Sequence, residues 1–463
     1  MNPSNGDILA MATYPDYNLN EPYTINTDEL KEKWDTLSSE EKSNALFNMW
    51  NNPAVQKTYE PGSTFKLITA AAALEENIVE AETPNVFYCG GSEAVAGINI
   101  SCWRDYNPHL YQSLKEALAN SCNPAFIQLG RRIGAKTLYK YYKGFGLFDT
   151  TNSYFYGESN SVFFDEDNIN EYNLATMSFG QRFTITPIQL ITAVSAIANE
   201  GVLMKPRIVK EIKNTDTNAV TTIEPTAVRQ VISKETADTM MEMLEYVVTD
   251  GTGRYAKVDG YSVGGKSGTS EPLSDSEDDG YVASFISVSP TVNTQVVALV
   301  TIYDPKGDSH QGGQVAGPVV KQILSEILPY LGVASDNTSS STTSSSSTSN
   351  KTSILPDVRN KTIEEAKSLL KDSGFKVKIT GDEDEATTLI IDQVPKPGVT
   401  LLENSTIYLY TSNNNVRSTT TVPNLKGMSS AQVVNSIQAS NLNVVLDGSR
   451  SCYKSRYSFS VKK

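Results

Sequence analysis

The sequence predicts a mixed α/β fold for the long amino-terminal part of the chain, with smaller modules after it. Residues 6–13 and 295–303 are rich in apolar, β-forming side chains, the second as one long apolar run suited to a buried sheet. Between them, residues 186–199 and 233–248 show the periodicity of amphipathic helices. Because strands stand at both ends and helices between them, we expect the two ends of this part to meet in one sheet.

The helices carry start and stop signals. The helix over residues 186–199 is ended by Gly201. A further helix is predicted over residues 317–328, because Pro318 suits the first turn of a helix and Pro329 stands just beyond its end.

Composition divides the chain into four parts. Residues 1–333 have mixed globular composition, whereas residues 334–353 are almost all Ser, Thr, Asn and Asp. Such a segment cannot bury enough apolar surface to offset the entropy of ordering, so we expect a flexible linker. Residues 354–412 and 420–463 form two similar repeats. The first opens its helix with a capping box at Thr362, and the second stops short.

The charge balance excludes some classes of partner. The 463 residues carry 39 Lys and Arg against 53 Asp and Glu, a formal net charge of −14. That argues against a nucleic-acid partner and against a basic membrane-binding surface. No apolar run reaches the roughly 18 residues of a membrane span.

Cysteine and histidine usage predicts no metal site. The spacing of Cys89, Cys102, Cys122 and Cys452 fits no zinc motif. Cys89 and Cys102 could pair across a hairpin, or both could remain buried free thiols. The chain has only two histidines, so most ways of activating a serine are closed to it.

A serine and a lysine stand three residues apart at a predicted helix start. Pro61 and Gly62 precede Ser63, and an apolar, alanine-rich run follows Lys66. Unpaired N–H groups and the helix dipole stabilise negative charge at such a place. Lys66 falls on the same helical face as Ser63, where desolvation would lower its pKa and suit it as a base. On its own, the motif more often describes a helix cap beside an exposed lysine.

A second motif, Ser121-Cys122-Asn123, joins two predicted helices. Helical residues 113–119 precede it, and Pro124 opens the next helix. The hydroxyl of Ser121 and the carboxamide of Asn123 can both face one cleft, the first to relay a proton and the second to bind a substrate amide. The competing interpretation is ordinary capping of the following helix.

The third motif, Lys266-Ser267-Gly268-Thr269, follows two glycines in an extended segment. The glycines let the backbone and a ligand approach closely, and the ammonium and hydroxyl groups could recognise a carboxylate. A Gly-rich turn is the alternative, and P-loop spacing is absent. Three such motifs in this order indicate a serine acyl-transferase site that needs neither histidine nor metal.

Together with Ser178-Phe179-Gly180-Gln181 and Asp250-Gly251-Thr252-Gly253, the three motifs resemble the transpeptidase domain of class B penicillin-binding proteins over nearly all of residues 5–333. The resemblance implies the penicillin-binding and β-lactamase-like fold, a central antiparallel sheet flanked by helices. The two repeats resemble PASTA domains, which are small α+β modules.

The resemblance also implies a role for each candidate residue. Ser63 would attack the penultimate D-alanine carbonyl of a D-Ala-D-Ala stem peptide, with Lys66 as the base. Ser121 would relay a proton toward the leaving amine, and the N–H groups of Ser63 and Thr269 would form the oxyanion hole. No metal or cofactor is implied. The substrate-binding residues would be Asn123, Lys266, Ser267, Gly268 and Thr269.

Ligands and location follow from the same resemblance. Peptidoglycan stem peptides and β-lactam antibiotics would bind the active site, and muropeptides the PASTA domains. Cell-wall synthesis membrane proteins would be partners at the extracytoplasmic face of the bacterial membrane. The membrane helix and pedestal domain of the family are missing, so we expect an amino-terminally truncated fragment. Arg182 stands where the family usually has a glycine.

Two other functional classes stay open. The first is a D,D-carboxypeptidase or β-lactam hydrolase, which would lose a penicillin label rapidly. The second is a non-enzymatic β-lactam sensor or wall-binding scaffold, which would keep the label but form no cross-linked product.

Overall fold

A computed structural model describes residues 1–271, 280–335, 352–380, 387–394, 397–398, 400–402, 406–411, 443–447 and 458–462. The chain divides into two compact units, Met1–Thr348 and Ser349–Lys463. Across the described ranges, no helix combines the length and the apolar content needed to cross a membrane.

The α-helices of these ranges are α1 Asp28–Lys33, α2 Ser39–Trp50, α3 Pro53–Gln56, α4 Lys66–Glu75, α5 Leu114–Ala119, α6 Asn123–Ile133, α7 Ala135–Gly144, α8 Glu171–Met177, α9 Pro187–Ala198, α10 Lys234–Thr249, α11 Gly312–Tyr330 and α12 Ile363–Asp372. The strands are β1 Phe87–Cys89, β2 Ser92–Val95, β3 Ile98–Ser101, β4 Leu110–Gln112, β5 Val202–Met204, β6 Glu211–Lys213, β7 Val220–Thr222, β8 Ala227–Gln230, β9 Gly264–Ser270, β10 Val282–Ser289, β11 Val296–Tyr303, β12 Thr352–Ile354, β13 Lys376–Thr380, β14 Ile390–Val394, β15 Thr400–Leu402, β16 Thr406–Thr411, β17 Asn443–Asp447 and β18 Ser458–Lys462.

The sheet that carries the candidate site is antiparallel, with β10 between β9 and β11. Successive side chains of β10 point to opposite faces, as they do in any strand. Phe285 joins a core with Val320 of α11, while Ile286 joins a larger core with Leu244 of α10. The predicted antiparallel sheet flanked by helices is therefore confirmed.

Helix α4 lies in the middle of the larger core. Its residues from Lys66 to Ala73 are all buried, and α5, α6, α7, α9 and α10 pack around it. A helix that is apolar on almost every side can be stable only when other elements cover it on all sides. The lysine at its first position is therefore buried with the rest.

Two predicted helices are confirmed almost to the residue. The helix over 186–199 is α9, and the helix over 233–248 is α10. Thr186 and Ser233 cap them, each accepting a hydrogen bond from the backbone N–H three residues on.

The strand predicted over residues 6–13 is wrong. In this segment only Asp7 forms a bridge, to Arg207, among the residues that the structure describes. Met1 lies beside β11 instead and exchanges two backbone hydrogen bonds of 2.8 Å with Val297. The amino end does reach the sheet, but an apolar pattern cannot show which residues find a partner strand.

The helix predicted over residues 317–328 begins earlier than expected, at Gly312, and ends later, at Tyr330, so that Pro318 and Pro329 both lie inside it. A Cβ at Gly312 would stand 2.0 Å from the carbonyl oxygen of Gly268, and the N–H of Gly312 donates to Thr269 Oγ1 at 3.0 Å. Packing against β9 thus sets the start of α11, in place of local propensity.

The second unit contains the predicted capping box. Thr362 Oγ1 accepts from the N–H of Glu365, whose carboxylate accepts from the N–H of Thr362. Helix α12 shares a small core with β14 and β16. Most of the predicted linker, 334–353, and most of the second repeat, 420–463, lie outside the described residues. Within that repeat, β17 and β18 pair antiparallel.

Candidate active site

The predicted nucleophile lies in a tight turn. Ser63 belongs to a 3₁₀ turn, Gly62–Phe65, that runs directly into α4. Gly62 has a φ of +54°, and its N–H donates to the carbonyl of Gly180 at 2.9 Å. A Cβ on Gly62 would stand 2.6 Å from the carbonyl oxygen of Thr269. Glycine therefore lets this turn approach β9 closely, which brings Ser63 next to the third motif.

Lys66 is the first residue of α4 and is fully buried. Its Nζ donates to the carbonyl oxygen of Ser121 at 2.8 Å and to Asn123 Oδ1 at 2.7 Å, and it lies 3.4 Å from Ser121 Oγ. Burial lowers the pKa of Lys66 to about 8. Within the described part of the chain, no hydrogen bond joins this amine to Ser63 Oγ. In this structure the Lys66 amine therefore binds residues of the second motif, Ser121 and Asn123.

The second motif closes the end of α5. Ser121 N–H donates to Leu118 O at 3.1 Å and Cys122 N–H to Ala117 O at 3.0 Å, the pattern of a Schellman cap. Ser121 occupies the left-handed position of that cap, with a φ of 54°, where glycine is usual. A hydroxyl-bearing residue at a position that favours glycine is typical of strain retained at functional sites.

Lys266 approaches the same hydroxyl from β9. Its Nζ donates to Ser121 Oγ at 2.9 Å and to Ser267 O at 3.1 Å, and its side chain is fully buried. Burial, and next the charge of Lys66, hold the pKa of Lys266 well below its ordinary value. Ser121 Oγ therefore lies between two buried amines, each with lowered proton affinity.

A cleft of about 520 Å³ lies above these lysines. Ser63, Ser121, Asn123, Ser267 and Thr269 line it, so the structure brings residues of all three motifs to one pocket. Gly268 contributes backbone: a Cβ there would stand 2.7 Å from Pro61 O. All eight predicted site residues thus lie in or directly behind a single cleft.

Other residues of the cleft were missed by the motif analysis. Thr252 belongs to the quoted D-G-T-G motif but received no role. Its hydroxyl lies 3.5 Å from Ser267 Oγ and 3.1 Å from Ala119 O. Other missed lining residues belong to none of the quoted motifs and include Trp103, Arg104, Arg254, Tyr281 and His310.

Arg182, the departure from the family pattern, lies next to the cleft residue Gln181. It has a φ of 65°, a conformation that favours glycine, and its N–H donates to Glu60 Oε1 at 2.7 Å. The backbone therefore keeps the shape that a glycine would give, and the hydrogen bond to Glu60 supports it.

Cysteines and a histidine also gather behind the second motif. Cys89, Cys102, His109 and Cys122 bring their ligand atoms within 4.8 Å of one another. The linear spacing of the cysteines gave no sign of this cluster, because the fourth member is a histidine. Among the described residues all three of these cysteines are free thiols, so Cys89 and Cys102 are not paired.

Comparison with known families finds two matches along the chain. Residues 1–325 match the family described as "Penicillin binding protein transpeptidase domain", and residues 353–413 match the PASTA domain family.

Curated relatives carry related names. "Stage V sporulation protein D" of Bacillus subtilis (strain 168) is 36% identical over 413 residues, which cover 89% of this chain and 60% of the relative. "Peptidoglycan D,D-transpeptidase PbpA" of Mycolicibacterium smegmatis is 29% identical over 332 residues, covering 71% of this chain and 66% of the relative. The chain thus spans about 60% of the length of the first relative.

Solved structures share the fold. The D,D-transpeptidase domain of a peptidoglycan glycosyltransferase from Eggerthella lenta aligns with a TM-score of 0.59 at 26% identity, covering 70% of this chain and 76% of that one. Penicillin-binding protein 3 of Mycobacterium tuberculosis, complexed with aztreonam, aligns with a TM-score of 0.58 at 26% identity, covering 65% and 68%. With the family match over residues 1–325, these findings show that the chain belongs to the penicillin-binding protein transpeptidase family.

Proposed function

We propose that the chain is a peptidoglycan D,D-transpeptidase that acts through an acyl-enzyme on Ser63. The observation that carries this proposal is the position of Ser121 Oγ, 2.9 Å from Lys266 Nζ and 3.4 Å from Lys66 Nζ, in the cleft that Ser63 also lines. A serine site without histidine needs another base, and two buried amines with lowered pKa can supply one.

In the first step, Ser63 Oγ forms a bond to the penultimate D-alanine carbonyl carbon of a stem peptide. The hydroxyl proton of Ser63 passes to the amine of Lys66, which must be neutral to accept it. The start of α4 and the edge strand β9 support this role for Ser63, because Ser63 and Thr269 can offer N–H groups to the developing oxyanion.

In the second step, the bond to the terminal D-alanine breaks and its nitrogen takes up a proton. Ser121 would deliver that proton, because a hydroxyl can accept from one amine while donating to another atom. The amine of a second stem peptide then attacks the acyl-enzyme, gives up a proton by the reverse route and releases Ser63 as a cross-link forms.

Substrate recognition would come from the remaining motif residues. Ser267 and Thr269 line the cleft next to Lys266, and two hydroxyls beside an amine are suited to a terminal carboxylate. The Oδ1 of Asn123 accepts from Lys66, so its NH₂ group would be the part that binds a substrate amide.

β-Lactams would acylate the same serine. Penicillin-binding protein 3 of Mycobacterium tuberculosis, a structural neighbour, is known in complexes with aztreonam and ampicillin. We also propose the extracytoplasmic side of the bacterial membrane as the place of action, with muropeptides at the PASTA domain and cell-wall synthesis membrane proteins as partners.

The test is intact-mass spectrometry of the chain after exposure to a penicillin, with peptide mapping of the adduct. We expect one stable adduct on Ser63, and cross-linked product when a D-Ala-D-Ala stem peptide and an amine acceptor are supplied. Ser63→Ala should take up no adduct. A label on another residue, or its rapid loss by hydrolysis, would contradict the proposal, and so would a stable label without any cross-linking.

A further inference from the structure

Three cysteines and a histidine converge directly behind the active-site cleft. Cys89 ends β1, Cys102 follows β3, His109 precedes β4, and Cys122 is the N-cap of α6. Their ligand atoms all lie within 4.8 Å of one another, and Cys102 Sγ is 3.5 Å from His109 Nδ1. We propose that these four side chains bind one divalent cation of the zinc class.

The donor set suits this ion. Three thiolates and one imidazole form a recognised ligand set of structural zinc, which takes four ligands in a tetrahedron. Zinc–sulfur bonds of about 2.3 Å place the ligand atoms about 3.5–3.8 Å apart around the ion. Because the cluster already lies within 4.8 Å, small side-chain movements bring it to that geometry. The soft sulfur ligands also disfavour magnesium and calcium.

The surroundings of the sulfurs support a metal site. Two of the sulfurs have a backbone N–H close by, a kind of donor that orients metal ligands and stabilises thiolates. The pairs are the Gly91 N–H with Cys89 and the Arg104 N–H with Cys102. The three thiols are buried, so protein groups in place of water would stabilise their thiolate forms.

A disulfide explains the cluster less well. A disulfide between two of the cysteines would not explain why the third cysteine and His109 lie in the same cluster. Among the residues that the structure describes, His109 Nε2 is buried without a hydrogen-bond partner, so the ring is not held there by bonds on both nitrogens. Coordination through Nδ1 accounts for the position of the ring, since that nitrogen faces the sulfurs.

The site would act by positioning. Cys122 stands between Ser121 and Asn123, the two residues whose side chains meet Lys66 and Lys266. A bound ion would tie this loop to the segment that runs from β1 to β4. Four protein ligands fill a tetrahedral ion, so no open position remains for substrate, and its role is to hold Ser121 and Asn123 in place.

The first test is the metal content of the whole chain, purified under reducing conditions without chelator, by inductively coupled plasma mass spectrometry. We expect one zinc per chain. Co²⁺ substitution should give the visible bands of a tetrahedral ion and thiolate-to-cobalt charge transfer. Cys102→Ser and His109→Ala should weaken zinc binding about tenfold or more, in line with the loss of a ligand or its support.

Matched variants separate metal loss from misfolding. His310→Ala, which removes the other histidine and lies outside the four-residue cluster, should keep the full zinc content. His109→Cys, which retains four ligands, should bind zinc more tightly than His109→Ala does, and circular dichroism checks that each variant folds. Absence of zinc with no tetrahedral cobalt spectrum overturns the proposal. So does a disulfide among the three cysteines in the native chain, found by peptide mapping without reduction.

Discussion

Lys266 Nζ donates to Ser121 Oγ at 2.9 Å although the two residues are 145 positions apart. The same hydroxyl lies 3.4 Å from Lys66 Nζ. Ser121 therefore connects the lysine of the nucleophile's helix to the lysine of the edge strand β9. Because a hydroxyl both donates and accepts, this chain of three groups can pass a proton in either direction.

Replacing Ser121 tests the hydroxyl separately from the backbone. Ser121→Ala and Ser121→Gly both remove the relay, so we expect acylation by a labelled penicillin to slow about 100-fold or more in each. The φ of 54° favours glycine, so the Gly variant should be about 1 kcal/mol more stable than the Ala variant. Stopped-flow acylation and urea unfolding measure the two effects. Near-normal acylation in either variant would remove Ser121 from the mechanism.

Lys266→Met should make the protein more stable and its acylation slower. The substitution removes a fully buried amine whose charge is disfavoured by burial and by Lys66, and methionine fills a similar volume. We expect the free energy of unfolding to rise by about 1 kcal/mol or more, while acylation falls sharply. The exposed Lys257→Met is the control and should change stability by less than about 0.5 kcal/mol. A Lys266→Met variant that is less stable than the parent chain would show that the amine is not a cost to folding.

Acylation should depend on pH through Lys66. Burial lowers the pKa of this lysine to about 8, and the neutral amine is the form that can accept the proton of Ser63. The groups around it are the amide of Asn123, the hydroxyl of Ser121, the thiols of Cys102 and Cys122, the amine of Lys266 and the rings of Phe126 and Phe179. The acylation rate should therefore rise with pH up to about 8 and then level off. A rate that falls over the same range would exclude neutral Lys66 as the base.

Gly312→Ala should break the contact between α11 and β9. The new Cβ would stand 2.0 Å from Gly268 O and 2.4 Å from Ser284 O, so the helix must move. We expect a loss of about 2–3 kcal/mol in the free energy of unfolding and slower acylation, because Gly312 N–H also holds Thr269 Oγ1. The matched control is Gly307→Ala, since nothing lies within 4 Å of a Cβ there. Thermal unfolding compares the two variants, and equal stability would contradict close packing of Gly312 against β9.

Local signals determined much of what the sequence could predict. Thr186 and Ser233 identified two helix starts because a cap acts within one turn of the backbone. Ser63 and Lys66 were recognised for the same reason, since three residues of helix fix their relation. The order of the three motifs then indicated the family.

Only the tertiary structure decided what lies between these segments. The position of Ser121 between Lys66 and Lys266 depends on packing of α4, α5 and β9, which no short-range pattern encodes. His109 joined Cys89, Cys102 and Cys122 for the same reason, whereas the spacing of the cysteines alone predicted no metal site. Tertiary contacts also set the start of α11 and prevented the strand predicted over residues 6–13. In each case the deciding contact joins residues far apart in the chain, and its free energy exceeds the small preferences that a local sequence carries.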